Sequence, residues 1–258
     1  DDGGTERHRM RGAETFVAHE HVEVARVAVR HDARLDLFID PAKVSHIPEE
    51  AGVTRHPVSA FPEALRSLNG ATRFDPATAP VAVKAALAEG VPGADPCLMA
   101  KAKKNPAELD GMRAAHRRDG AAMIEFLAWF DAHALDGLTE IDMAAKLEAC
   151  RAATGELRDL SFDTISSTGP NAAVIHYRVT EGTNRRLAPG DLFLIDSGGQ
   201  YPDGTTDITR TLPVGVVEDE RRDAYTRVLK GMIAVSRARF PKGVAGGHLD
   251  ALARYPLW

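Results

Sequence analysis

Asp196 and Asp207 are the two carboxylates in this chain whose setting most suggests chemistry. Asp196 ends an apolar run, Leu192-Phe193-Leu194-Ile195. Asp207 opens a stretch, Asp207-Ile208-Thr209-Arg210-Thr211-Leu212, that alternates polar and apolar residues. Between them Gly198, Gly199, Pro202, Asp203 and Gly204 cluster as turn residues. The pattern predicts two strands joined by a loop of even length. The aspartates stand an odd number of positions apart, so in an unbulged antiparallel pair both side chains leave the same face. Directly opposed across Gln200 to Asp203, their Cβ atoms would lie about 4.5–5.5 Å apart.

Two carboxylates that close repel, and burial makes the repulsion worse. The pair is stable if one is protonated or if cations sit between them. Oxygen donors suit hard divalent ions such as Mn²⁺ or Mg²⁺, and two such ions about 3.5–4 Å apart can share a carboxylate. Either aspartate alone reads as a turn cap or an exposed strand position. Together, with one ending an apolar run expected to be buried on both faces, they favour a metal site.

His176 is the third candidate. Ala173 to Tyr177 reads as a short strand, with Phe162 to Ser166 as another and Gly169-Pro170 between them. A lone strand histidine is more often a hydrogen-bonded core residue. Beside a metal pair, its imidazole could instead donate a hydrogen bond to a developing oxyanion.

The elements that must position these residues follow from capping and periodicity. Asn105-Pro106-Ala107-Glu108 opens a long helix, with Asn105 as N-cap and Pro106 at the first helical position. Its stripe of Leu109, Met112, Ala115, Met123, Phe126, Leu127 and Phe130 reads as core, not as a cofactor site. Gly137 ends it, and Thr139 caps a second helix with Met143, Leu147 and Cys150 inward. Pro189-Gly190 turns the chain into the Asp196 strand. Glu218 to Phe240 is a long amphipathic helix carrying Tyr225, Val228, Leu229, Met232 and Val235, and Gly247 to Ala253 starts another.

Upstream, Leu35 to Asp40 reads as a strand stopped by Pro41, Phe61 to Leu68 as a helix, Ala71 to Phe74 as a strand and Val81 to Leu87 as a helix. Alternating strands and helices imply a small α/β domain. The crowded Val91-Pro92-Gly93-Ala94-Asp95-Pro96 is the expected boundary, giving domains 1–96 and 97–258. Lys101, Lys103 and Lys104 read as a solvated face. In the first thirty-four residues, His8, His19, His21 and His31 lack a supporting carboxylate or cysteine pattern. Val22, Val24, Val27 and Val29 there have mostly strand-like spacing.

Composition narrows the classes. The chain has 258 residues, room for two domains or one large one. Its net charge of −5 leaves no basic footprint for nucleic acid. No apolar run approaches the roughly 20 residues of a membrane helix, and no signal-peptide pattern opens the chain. The two cysteines, Cys97 and Cys150, fall in different elements and lack metal-site spacing. They are expected as free thiols in a reducing compartment, the cytoplasm. No P-loop, dinucleotide fingerprint or serine elbow is present.

The stretch IDSGGQYPDGTTDITRT resembles the paired-aspartate motif of the pita-bread metallopeptidases, family M24, and within them the Xaa-Pro aminopeptidases (aminopeptidase P). ELRDLSFDTISSTGPNAAVIHYRVTEGTNRRLAPGD upstream also resembles that family, with His176 at its usual place before the first aspartate. The resemblance is clear from about Leu98 to Trp258 and weaker from Leu35 to Cys97.

The resemblance implies an α/β (α+β) fold, with a creatinase-like N-terminal domain followed by the first half of a pita-bread domain. It implies removal of an N-terminal residue from a peptide with proline second, through water bridging two divalent ions, expected to be Mn²⁺. Asp196 would chelate one ion, Asp207 would bridge both, and His176 would stabilise the tetrahedral intermediate. Prolidase activity, cleaving Xaa-Pro dipeptides, and a non-catalytic binding module that keeps the fold are the alternatives. A homodimer is a further expectation, because the family's N-terminal domain often contributes to dimerisation. The start at Asp1 and end at Trp258, with two carboxylates where the family uses five protein ligands, lead to the expectation that the chain as given is an inactive fragment.

Overall fold

A computed structural model describes residues 15–19, 26–29 and 35–258, with side chains from residue 35 onward. The chain divides into two compact units, residues 1–103 and 104–258. His8, His21, His31, Val22, Val24 and the side chain of His19 lie outside the described residues, whereas Val27 and Val29 fall within a strand.

The first unit is built on a six-stranded sheet. Its strands are β1 (Thr15–His19), β2 (Arg26–Val29), β3 (Leu35–Phe38), β4 (Val53–His56), β5 (Thr72–Phe74) and β6 (Gly90–Pro92), in the order β4-β3-β2-β1-β5-β6. β2 runs antiparallel to both β1 and β3, while β3–β4, β1–β5 and β5–β6 pair in parallel. Helices α1 (Pro41–Val44), α2 (Phe61–Arg66), α3 (Val81–Ala86) and α4 (Pro96–Ala102) connect and follow the strands. β3 ends at Phe38, two residues short of the predicted strand, because Asp40 leaves it to cap α1 with its side chain and Pro41 takes the helix's first position. Phe38, Phe61, Leu65, Phe74, Val83 and Leu87 form the core. β4 and β6 were not legible, being short and without clear alternation. Cys97 is exposed on α4.

The second unit combines four helices with two three-stranded sheets. Helix α5 (Pro106–His133) opens with a full capping box, Asn105 accepting from the Glu108 N–H and Glu108 accepting from the Asn105 N–H. Helix α6 (Glu140–Ala152) repeats the device with Thr139 and Asp142. Asp142 is held below the usual carboxylate range, chiefly by the Thr139 hydroxyl and also by the Thr139 N–H. Met143, Leu147 and Cys150 point inward as expected, and meet Met123, Phe126 and Phe130 of α5 in the core. Leu109 departs from its expected place on the buried stripe and is exposed.

The strands of this unit are β7 (Asp159–Leu160), β8 (Ile165–Thr168), β9 (Leu192–Ser197), β10 (Gly199–Tyr201), β11 (Gly204–Thr205) and β12 (Ile208–Pro213). They form two three-stranded sheets, β12-β9-β8 and β11-β10-β7. β9 is not buried on both faces, as its apolar run suggested. Phe193, Ile195 and Ser197 are buried on the side of the helices, with Phe193 stacked on Phe130, while Leu192, Leu194 and Asp196 are half-buried on the other side. This alternation presents Asp196 away from the core.

Helices α7 (Asp219–Arg237) and α8 (Gly246–Arg254) close the chain. They approach closely at Gly231, where a Cβ would sit 2.2 Å from the Ala253 carbonyl oxygen. The α7 stripe of Tyr225, Val228, Leu229, Met232 and Val235 is exposed. Among the described residues no helix is long and apolar enough to cross a membrane.

Candidate active site

Asp196 and Asp207 line one cavity of about 330 Å³, with Phe162, Asp163, Ile165, His176 and Arg178. The same-face expectation holds for the aspartates, but not by the expected register. Asp196 on β9 pairs with Thr209, and Ser197 pairs with Ile208. One pair further, the same register sets Asp207 against Gly198. The register continues through the next ladder, where Gln200 pairs with Thr205 and Tyr201 with Gly204. The turn is therefore the two residues Pro202-Asp203, not four. Moving it shifts the register by two, so parity survives and the aspartates become diagonal neighbours.

At Gly198 the hairpin leaves one sheet for the other. A Cβ there would sit 1.9 Å from the Thr206 carbonyl oxygen and 2.2 Å from Ser161 Oγ. Only glycine permits that approach. Ser161 holds the crossing from both sides, donating from N–H to the Gly198 carbonyl at 3.1 Å and from Oγ to the Thr206 carbonyl at 2.9 Å.

The hairpin tip is clamped to α5. Arg118 donates two hydrogen bonds of 3.0 Å to the Asp203 carboxylate and lies over the Tyr201 ring at 5.3 Å. Tyr201 donates to buried Asp119 at 2.7 Å, and Arg151 of α6 donates to the same carboxylate at 2.6 and 3.3 Å. Burial, then the hydrogen bond to Asp119, pushes the Tyr201 phenol well above its ordinary value.

Asp196 is half-committed: its Oδ1 accepts a 2.7 Å hydrogen bond from Thr209 Oγ1. Asp207 has no hydrogen bond or ion pair among the described residues. Oxygen atoms on one face, several without a protein partner, are the donors a hard divalent ion takes, so these two residues fit that class of ion. They supply only part of a coordination shell, because no group of three or more His, Cys, Asp or Glu among the described residues could hold an ion. Arg178 and Asp163 form an ion pair at the cavity's edge.

His176 does not sit on a strand. Gly169–Ala173 is a short 3-10 helix, and His176 follows it in a turn, exposed, with φ of +55°. It is the one non-glycine residue among those described with positive φ. The next residue, Tyr177, is buried.

The profile of "Metallopeptidase family M24" matches residues 110–258. The chain belongs to metallopeptidase family M24. The profile of the creatinase/prolidase N-terminal domain matches residues 10–108, ahead of the M24 domain. Proteins named "Probable Xaa-Pro aminopeptidase P" from Neosartorya fischeri and Aspergillus fumigatus are 52% identical to it over 166 residues, 63% of this chain and 25% of theirs. The chain thus spans about a quarter of the length of these curated relatives.

Among solved structures, the X-prolyl aminopeptidase of Caenorhabditis elegans, described as a cytosolic enzyme with a di-nuclear active site, matches 91% of this chain and 41% of its own. Its TM-score is 0.78 and its identity 34%. An Xaa-Pro dipeptidase from Bacillus anthracis shares the fold at a TM-score of 0.74 and 21% identity. Creatinase-type N-terminal domain and pita-bread M24 domain are thus the fold of this chain, as the sequence motif implied.

Sequence reasoning missed two residues whose side chains hydrogen-bond Asp196 or the segment carrying His176, Thr209 and Glu140. Thr209 stands two positions after Asp207 on an alternating strand, so a correct turn would have placed it beside Asp196. Glu140 gave no signal as a site residue, because the first turn of a helix is an ordinary place for a carboxylate.

Proposed function

We propose that this M24 domain contributes the paired aspartates and one histidine of a metal-dependent aminopeptidase that removes the N-terminal residue from peptides with proline in second place. The observation that carries the reading is the convergence of Asp196, Asp207 and His176 on one cavity. The Xaa-Pro specificity rests on the relatives that are 52% identical. The dipeptidase neighbour, at 21% identity, bears on fold alone.

Two divalent ions, manganese in our reading, supply an activated water and a Lewis acid for the scissile carbonyl when bound. Asp196, whose Oδ1 accepts the hydrogen bond from Thr209, would hold one of the ions. Asp207, whose carboxylate has no protein partner among the described residues, would help to hold both ions. His176 donates a hydrogen bond to the carbonyl oxygen as negative charge develops there. Arg178 is held to Asp163, so its charge is partly neutralised at the cavity's edge. Assembly as a homodimer and residence in the cytosol belong to the same reading, the latter supported by the nematode enzyme's description.

The test is hydrolysis of an Xaa-Pro-Yaa peptide by the full-length gene product with added Mn²⁺. Release of the first residue, abolished by a chelator and restored by Mn²⁺, is expected. A metal-loaded protein that leaves the peptide intact would overturn the reading.

A further inference from the structure

Glu140 is fully buried at the first position of α6, and no step above uses it. Its carboxylate is surrounded by donors from the segment that carries His176. Oε1 accepts from the Thr168 N–H at 2.7 Å and from Asn171 Nδ2 at 3.0 Å. Oε2 accepts from the Tyr177 hydroxyl at 3.0 Å and from the Arg185 N–H at 3.1 Å. The Glu140 backbone joins in, its carbonyl accepting from Ser166 Oγ at 2.6 Å and its N–H donating to the Arg185 carbonyl at 3.0 Å. A buried charge is tolerated when hydrogen bonds satisfy it in this way. Burial above all, and the contact with Glu140, push the Tyr177 phenol above its ordinary value.

We propose that Glu140 is a positioning residue for His176, acting through the hydroxyl of Tyr177. The chain enters the turn from β8 and the 3-10 helix, both tied to Glu140 through Thr168 and Asn171. It leaves through Tyr177, tied to the same carboxylate. His176 lies between these anchors with φ of +55°, so Tyr177 is buried while His176 stays in the Asp196–Asp207 cavity. Without the Tyr177 anchor the turn can relax to negative φ, which a non-glycine residue prefers, and the imidazole swings from the cavity. A donor to an oxyanion must be fixed in advance to be effective, and Glu140 supplies that fixity from inside the domain.

The proposal rests on His176 acting in the proposed peptidase, and the test separates the two. Tyr177→Phe keeps the ring and removes only the hydroxyl, and His176→Ala serves as reference. In the metal-free protein with ¹⁵N-labelled histidine, the His176 resonance is identified by its loss in His176→Ala. It should shift or broaden in Tyr177→Phe, while those of His116 and His133 stay in place. In the full-length gene product with Mn²⁺ and an Xaa-Pro-Yaa peptide, Tyr177→Phe should lose about 10- to 100-fold in kcat, with KM within about twofold of the parent and unchanged Mn²⁺ affinity. Unchanged kcat and an unmoved His176 resonance in Tyr177→Phe, beside an impaired His176→Ala, would overturn the positioning role and leave the peptidase reading standing. Full activity in His176→Ala would overturn the role of His176 itself. Should Tyr177→Phe fold poorly, Glu140→Gln, which keeps the cage's shape, gives the same spectral readout.

Discussion

Thr209 hydrogen-bonds Asp196 across the directly opposed pair of β9 and β12, its hydroxyl 2.7 Å from Oδ1. This contact fixes which oxygen of Asp196 is free. Partners of a metal-ligating carboxylate typically affect affinity by about 10–100-fold, and this one is exposed, so the low end applies. Thr209→Val keeps the side-chain shape and should weaken Mn²⁺ binding about tenfold, read by calorimetry. Its thermal midpoint should stay close to the parent's, because the hydroxyl is at the surface.

The clamp beneath the hairpin sets fold stability. Asp119 and Arg151 are both buried, and Arg151 Nη1 has no hydrogen-bond partner. Asp119→Ala would leave a buried guanidinium uncompensated and a Tyr201 hydroxyl without its acceptor. The expected cost is about 3–5 kcal/mol, measured by urea unfolding. A loss under about 1 kcal/mol would mean that water reaches Arg151 readily.

At the hairpin tip the paired Arg118 guanidinium holds the Asp203 carboxyl below the usual carboxylate range, chiefly through their hydrogen bonds. A carboxyl depressed in the folded state contributes stability above its unfolded pKa of about 3.9, lost as pH falls through the lower folded value. Asp203→Asn should therefore lower stability at neutral pH and flatten the part of the acid limb that Asp203 contributes. Thermal unfolding of both proteins from pH 7 down to pH 2 checks this. Parallel curves throughout would show that the pair carries no pH-dependent stability.

Much of the scaffold was legible because local chemistry and tertiary structure agree on it. Asn105 with Glu108, and Thr139 with Asp142, announce two helix starts by residue type and spacing, and both capping boxes form. Parity placed Asp196 and Asp207 on one face, and parity is insensitive to a two-residue error in register. The register itself depended on whether the turn spans two or four residues. The deciding contacts, Arg118 to Asp203 and Met112 to Gly204, come from a helix some ninety residues upstream. His176 was misplaced on a strand for a similar reason. Val174 and Ile175 look like strand residues, yet Tyr177 is drawn to Glu140, and the backbone bends to allow it.

Mn²⁺ binding at Asp196 and Asp207 is the central claim, and calorimetric titration of the metal-free full-length gene product with Mn²⁺ tests it directly. Asp196→Asn and Asp207→Asn keep side-chain size and remove one anionic ligand each. Each should lower Mn²⁺ affinity by more than about 100-fold, beyond what the loss of an outer partner such as Thr209 would do. The bridging role given to Asp207 predicts that its loss impairs both binding events. Parent-like Mn²⁺ isotherms in both variants would contradict the account.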